Sequence, residues 1–356
     1  MFEAADKLAL VIRAGAGTNT IDIDVAARNG VLVCNVPGRN AVAVAVAELT
    51  LGLILALDRR IADNVADARR GRWAKATYSK ANGLLGSTLG ILGLGAIGLA
   101  VAERAAGFGM RIGCLDRPDR PQATRDRLAE LDAVGYGSLP DLLAASDVVT
   151  LHVPAAPETK NLVDADFLAA MKPGAILVNT SRGDVVDEAA LLAALDAGRV
   201  RAGLDVFADE PGTGTAEWDS PLAQHPRVVA THHIGASTEQ AQAAIAAGVV
   251  EIVDAFAAGD ARNCVNLAPR GLGSATLTVR HLDEVGVLAR VLELLREAGL
   301  NVEHMQNRIF AGGEAAVATI DVAGSVPADL PATLAAIPEV LGSSLVTLDA
   351  TRAERA

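Results

Sequence analysis

The sequence predicts an α/β fold, a doubly wound parallel sheet followed by a smaller α+β unit. Short Val/Ile/Leu runs alternate with Ala-rich helical stretches across residues 84–230, the pattern of a parallel sheet covered by helices on both faces. One of those runs leads into GLGAIG, at Gly93, Gly95 and Gly98. A composition change at 268–274 (APRGLGS) reads as a linker.

The elements follow in order. Residues 41–70 read as a long helical region. Its apolar start, 41–57, is interrupted by Glu48 and bounded by Arg39 and Asp58-Arg59-Arg60, which favours a buried core helix over a membrane span. Strands are expected at 88–92, 111–115, 147–151, 175–179, 201–205 and 227–231, with helices after most of them. A second long helix is expected over 237–258, capped by Ser237 or Thr238 and ending near Gly259. After the linker, residues 275–349 read strand, helix, strand, strand, helix, strand, a ferredoxin-like unit.

Composition narrows the function. The chain has 356 residues, enough for two or three domains, and is 51% hydrophobic with 34 Gly. A net charge of −12 without a basic patch argues against nucleic acid as a partner. The apolar stretch at 8–12 is too short for a signal peptide. Cys34, Cys114 and Cys264 are scattered, odd in number and form no CxxC, so neither a disulfide framework nor a zinc site is expected, and the cytoplasm is the expected compartment.

The turn at Gly93-Leu94-Gly95-Ala96-Ile97-Gly98 stands between an apolar strand and a helix, as a Rossmann-type dinucleotide site requires. Gly93 permits the tight turn, Gly95 lets a pyrophosphate approach the helix N-terminus, and Gly98 lets helix and strand pack closely. Asp116 ends the next strand; a carboxylate there accepts from ribose hydroxyls and repels a 2′-phosphate, favouring NAD over NADP. Arg117 beside it leaves NADP as the lesser alternative.

Three segments then supply chemistry: NTSRGDVVDE with Arg182, LDVFADEP with Glu210, and THHIGAST with His233. Arg182 follows an apolar strand, where ligands bind in such sheets, and a guanidinium there can hold a carboxylate bidentately; pairing with Asp184 or Asp187 on the surface is the alternative. His233 is a candidate proton-transfer group and Glu210 the carboxylate that would hold it. Asp205 could accept from a nicotinamide amide or serve as a cap. In extended chain His232 and His233 point opposite ways, so only one is expected to face a given cleft.

As a set, RAGAGTNTID (13–22), PGRN (37–40), GLGAIG, LHVPAAPETKNLV (151–163), NTSRGDVVDEAAL, LDVFADEP and HHIGAST resemble the D-isomer-specific 2-hydroxyacid dehydrogenases, over residues 8 to about 267. The resemblance implies hydride transfer between NAD and a small 2-hydroxy acid. It implies that Arg182 binds the substrate carboxylate, that Glu210 and His233 form the proton-transfer pair, and that Asn40 faces the substrate cleft. It places His152, Val153, Pro154, Thr159, Thr180, Ser181, Asp205, His233 and Gly235 beside the cofactor, with Gly93, Gly95, Ala96, Ile97, Gly98 and Asp116. No metal is implied.

The tail HLDEVGVLARVLELLREAGLNVEHMQ resembles an ACT domain. That combination implies D-3-phosphoglycerate as substrate and 3-phosphohydroxypyruvate as product, at the entry to serine biosynthesis; glyoxylate, hydroxypyruvate or lactate chemistry is the alternative, as is an NAD-binding protein without turnover. His281, Asp283, Gly286 and Asn301 are the candidate amino-acid effector residues, the other reading being a tail used only for oligomer contacts. Val285 stands in place of the Pro of the usual DxPGxL opening.

The domains implied are a partial flavodoxin-like substrate domain (1–39 and 234–267), an NAD-binding domain (40–233) and the ACT domain (275–350). Against the family pattern the chain begins near the third strand of the substrate domain, which implies a thin sheet with an exposed edge. AVAVAVAE is longer than the usual stretch between Asn40 and Glu48, so a bulge or a shifted helix start is expected there. His232 replaces the usual Pro. A homodimer or homotetramer is implied, with Trp73 in RGRWAK as its candidate anchor.

Overall fold

A computed structural model describes the chain except residues 1, 3, 4, 6, 19, 213, 268–272 and 348–356. It falls into two compact units, Met1–Val265 and Asn266–Ala356. The expected linker at 268–274 lies for the most part outside the described residues.

The first unit opens with β1 (Leu10–Arg13), α1 (Ile23–Arg28) and β2 (Leu32–Asn35); the two strands pair in parallel as a sheet of their own. The Asp22 carboxylate accepts from Val25 N–H and starts α1. Next comes α2 (Ala41–Arg59), which has no bulge; the irregularity sits ahead of it at Asn40, where φ is 49° and ψ −120°. The helical region expected over 41–70 is broken at Arg60, which adopts the left-handed conformation before α3 (Ile61–Arg69). α2 is a core helix, with Leu51, Leu53, Ile54 and Leu57 buried in one cluster with Leu89, Ile91, Val101 and Val178.

That sheet runs through β3 (Thr88–Leu92), α4 (Ala96–Gly107), β4 (Arg111–Leu115), α5 (Gln122–Glu130), β5 (Val134–Tyr136), α6 (Leu139–Ala145) and β6 (Val148–Leu151). It continues with α7 (Ala165–Ala170), β7 (Ala175–Asn179), α8 (Glu188–Asp196), β8 (Val200–Leu204), α9 (Pro221–Gln224) and β9 (Val228–Ala230). The strand order is β5-β4-β3-β6-β7-β8-β9, all parallel. Every residue of β3, β6 and β7 is buried, as strands covered on both faces must be. Sheet order reverses between β3 and β6, which opens a crevice at their carboxyl ends. β5 corrects the expected count: Val134 and Gly135 are exposed, Tyr136 is half-buried, and the three lack an apolar run.

α10 (Glu239–Ala257) closes this unit, with Thr238 Oγ1 accepting from Ala241 N–H at its start. Ala241, Ile245 and Ile252 pack with Cys34, Val36, Val42 and Ala45, joining the β1–β2 layer to α2.

The second unit holds β10 (Ala275–Leu282), α11 (Val287–Glu297), β11 (Asn301–Ile309), β12 (Ala315–Ala323), α12 (Leu330–Ala335) and β13 (Val340–Thr347). The order β11-β12-β10-β13, antiparallel throughout, is ferredoxin-like. β10 buries Ala275, Leu277, Val279 and His281 on one face. α11 lays Val287, Val291 and Leu295 against that core, the spacing of a single helix stripe.

Candidate active site

The residues predicted from three separate motifs meet at the carboxyl edge of the main sheet. β7 ends at Asn179, which is buried and folds the following loop. Its side-chain amide donates to Arg182 O at 2.8 Å, and its Oδ1 accepts from Ser181 N–H at 3.0 Å and Ser181 Oγ at 2.7 Å. Arg182 is thereby held half-buried at the loop's crest, its Nη1 donating to Ser181 O at 2.6 Å. Among the described residues Arg182 forms no ion pair with Asp184 or Asp187; Asp187 caps α8, accepting from Ala190 N–H at 3.0 Å.

The next residue explains why this loop lies against the one that follows β8. A Cβ on Gly183 would stand 2.1 Å from Phe207 C and O. Only glycine allows the two backbones to touch, and that contact sets Arg182 beside Glu210. Glu188 Oε1 accepts from Ala208 N–H at 2.7 Å and fastens the same loop from α8.

Glu210 turns back on its own loop. One carboxylate oxygen accepts from Phe207 N–H at 2.9 Å, and the other meets His233 Nδ1 at 2.6 Å. Asp205, 1% exposed, organises the loop after β9: it accepts from Thr231 Oγ1 at 2.6 Å, Ile234 N–H at 2.9 Å and Gly235 N–H at 2.9 Å. His233 N–H donates to Asp205 O at 2.8 Å. Asp205 thus caps the turn, the alternative the sequence offered for it, and in doing so positions His233.

His233 itself has φ 53°. This left-handed residue breaks the alternation of an extended chain, and so corrects the expectation that His232 and His233 must face apart. Both line a cavity of about 450 Å³ with Glu210, Phe207, Thr231 and Trp218.

The electrostatics are mutual. The Glu210 hydrogen bond raises His233 above its ordinary 6.5, against the opposing effect of burial. Burial would push Glu210 up, but His233 and the Phe207 N–H outweigh it and the carboxyl lies below its ordinary 4.5. Burial draws Arg182 down; Glu210 partly restores it, and the guanidinium of Arg13 lowers it further. Arg13, at the end of β1, is therefore near enough to act on Arg182 electrostatically, with its own Nη1 donating to Ala14 O at 2.6 Å, and the motif reading did not single it out.

The dinucleotide turn lies at the crevice. A Cβ on Gly93, where φ is 93°, would stand 2.3 Å from His152 O, and one on Gly98 would stand 2.0 Å from Gly93 O. Gly95, by contrast, faces open space, with no atom within 4 Å of where a Cβ would be, and no side chain caps α4. The N–H groups of Ala96, Ile97 and Gly98 are thus offered to an anion. Against Gly93, His152 Nε2 meets Thr150 Oγ1 at 3.0 Å, while its buried Nδ1 has no hydrogen-bond partner among the described residues. Burial of these ring nitrogens holds His152 down at about 3, a neutral imidazole. An open cradle beside an unpartnered polar atom fits a dinucleotide.

Asp116 and Arg117 stand exposed after β4, with Asp116 N–H donating to Tyr136 O. Val153 and Pro154 form the loop after β6 beside Gly93, and Thr159 Oγ1 donates to Pro154 O at 2.6 Å and accepts from Ala156 N–H. Thr180 is buried, its hydroxyl 3.0 Å from that of Thr50 on α2. Asn40 is exposed at the start of α2 and its side chain caps nothing.

The candidate effector residues fall in different environments. His281 is 1% exposed, with Nδ1 against Leu282 O and Nε2 against Asn307 Oδ1, so both nitrogens are engaged inside the unit. Asp283 and Gly286 are exposed on the β10–α11 loop, and the Asn301 amide donates to Glu303.

The fold and this edge define a dinucleotide-binding α/β protein. Residues 51–235 match the model of the D-isomer specific 2-hydroxyacid dehydrogenase NAD binding domain. The chain belongs to that family. It is 44% identical over 258 residues to D-3-phosphoglycerate dehydrogenase of Mycobacterium tuberculosis, a match covering 72% of this chain and 46% of that protein. It thus spans a little under half the length of such relatives. It is 42% identical to hydroxypyruvate reductase of Thermotoga maritima, over 70% of this chain and 78% of that one. Among solved structures, D-lactate dehydrogenase from Aquifex aeolicus with NAD and lactic acid aligns with a TM-score of 0.64 at 32% identity, covering 74% of this chain and 81% of that one.

Proposed function

We propose that this protein oxidises D-3-phosphoglycerate to 3-phosphohydroxypyruvate with NAD. The observation that carries the reading is a hydrogen-bonded His233–Glu210 pair beside one guanidinium, Arg182, on which a second, Arg13, acts electrostatically. Two anionic ends on one small substrate are what two cations suit.

In this reading Arg182 holds the carboxylate and sets the adjacent carbon by the imidazole. His233 accepts the hydroxyl proton at the nitrogen not bonded to Glu210, and Glu210 stabilises the imidazolium so formed. NAD, held at Gly93, Gly95, Ala96, Ile97 and Gly98 with Asp116 toward the ribose, supplies the hydride acceptor when bound. Arg13 takes the phosphate. Trp73, 91% exposed, anchors a homodimer or homotetramer; Trp73→Glu then sediments as a smaller species.

The second reading, reduction of hydroxypyruvate or glyoxylate, is favoured by the likeness to the Thermotoga reductase. A substrate panel with the purified chain decides. NADH should form with D-3-phosphoglycerate, and Arg13→Ala should raise KM for it at least about tenfold while leaving D-glycerate unaffected. Equal turnover of D-glycerate and its phosphate by the wild type would overturn the phosphate assignment; no NADH from any 2-hydroxy acid would overturn the reading as a whole.

A further inference from the structure

Cys34 and Cys264 are far apart in sequence and face each other in the fold. β2 carries Cys34. The chain leaving α10 turns at Asn263, where φ is 53°, and lays Cys264 beside it in an antiparallel bridge. The hydrogen bonds that frame the bridge run from Val265 N–H to Val33 O at 2.8 Å and from Asn35 N–H to Asn263 O at 3.2 Å. They flank the cysteines on either side, so Cys34 and Cys264 form a non-hydrogen-bonded pair. This is where antiparallel Cα atoms come closest, about 4.5 Å apart. A disulfide accepts Cα separations of about 4.4–6.8 Å, so closing one asks for no backbone movement. The two side chains are already in hydrogen-bonding contact.

The two thiols are not equivalent. Cys34 is 1% exposed, among Val36, Val42, Ala45 and Ile245. Burial first, and Cys264 beside it, push the Cys34 thiol up to about 11, which makes it a poor first nucleophile. Cys264 lies partly exposed at the edge of the same cluster and is the sulfur that a reagent reaches.

We propose that Cys34 and Cys264 are a redox-responsive pair that closes an intrachain disulfide, tying the chain that leaves α10 to β2. The oxidant is a low-molecular-weight disulfide. Cys264 attacks one of its sulfurs, forming a mixed disulfide and releasing one thiol. Cys34 then gives up its proton and attacks the Cys264 sulfur; the protein S–S bond forms and the second thiol leaves. Two protein thiols are oxidised, one external disulfide is reduced to two thiols, and the protein's two protons end on those thiols. The tie lies one strand from Arg13, because β1 pairs with β2 in the register Ile12↔Cys34 and Arg13↔Asn35.

The test treats the folded full chain with glutathione disulfide, removes the reagent, alkylates with N-ethylmaleimide in urea so that buried thiols also react, and maps the peptides. Cys34 and Cys264 should disappear together into one cross-linked peptide pair while Cys114 stays alkylatable. The intact mass should fall by about 2 Da, with dithiothreitol restoring it. The oxidised chain should melt roughly 5 °C or more above the reduced one, a rise that Cys114→Ser keeps and Cys264→Ser abolishes. Glutathione left on Cys264 with Cys34 still alkylatable, or cross-linking seen only after urea unfolds the chain, would overturn the proposal.

Discussion

His233 and Glu210 shift one another in opposite directions, and the direction of each shift sets what pH should do. Oxidation needs the unprotonated imidazole to take a proton. His233 lies above 6.5, so the acid limb of the oxidation profile should also lie above 6.5. Glu210→Gln removes the partner that raises it. The limb should then move toward lower pH, and the plateau rate should fall about 10²-fold, because the ring loses its orienting carboxylate. A pH series of kcat/KM for NADH formation checks both; an unmoved limb would detach Glu210 from proton transfer. His233→Ala should cost about 10²–10⁴-fold at the plateau with NAD affinity retained, as measured by fluorescence titration. The same pair bears on stability. His233's folded value is raised, so its contribution is complete below 6.5 and is lost as pH rises through the folded value. Glu210's is lowered, so its contribution is present above 4.5 and is lost as pH falls through the folded value. The two overlap fully between 4.5 and 6.5.

At the scale of elements, the site is made by loops that touch backbone to backbone. Gly183 lies where a Cβ would meet Phe207 C and O at 2.1 Å, neither of which is a flexible side-chain end. Gly183→Ala should therefore force the β7 and β8 loops apart. The expected cost is about 1–3 kcal/mol in urea unfolding, with a larger proportional loss in kcat/KM than in NAD affinity. This contact also shows where the sequence stopped being legible. Arg182, Glu210 and His233 were readable because each stands in a specific short segment after a strand, NTSRGDVVDE, LDVFADEP and THHIGAST. What joins them was not: the Gly183–Phe207 approach, the three hydrogen bonds into Asp205 and the electrostatic effect of Arg13 on Arg182 are non-local. Local irregularity hid the rest. Arg60 breaks an apolar helical pattern by its backbone alone, β5 is three residues without an apolar run, and the His232/His233 argument assumed an extended chain that φ 53° at His233 denies. The Cys34–Cys264 pair is invisible for the same reason, since no spacing rule links the two positions.

Across the first unit, support for the site is uneven. The cation and the proton-transfer pair stand on a seven-stranded sheet whose central strands are buried throughout and packed by helices. Arg13 stands on a two-stranded sheet, β1–β2, whose every β1 residue is only half-buried and whose own cluster is Phe2, Ala26, Val31 and Val33. A two-stranded sheet is marginal unless something packs on it; here α1 and the Cys34 cluster do so. Local opening follows such differences in packing. Amides of β1 and β2 should thus exchange with deuterium at least about tenfold faster than those of β3, β6 and β7 under native conditions. If the phosphate is Arg13's ligand, a saturating phosphorylated 2-hydroxy acid should slow exchange in β1 and β2 more than NAD alone does, because it would bridge Arg13 to Arg182 and so couple the weakly held layer to the firmly held one. Uniform protection across both sheets, or protection by NAD alone, would show that the β1–β2 layer is held by its packing and not by the substrate.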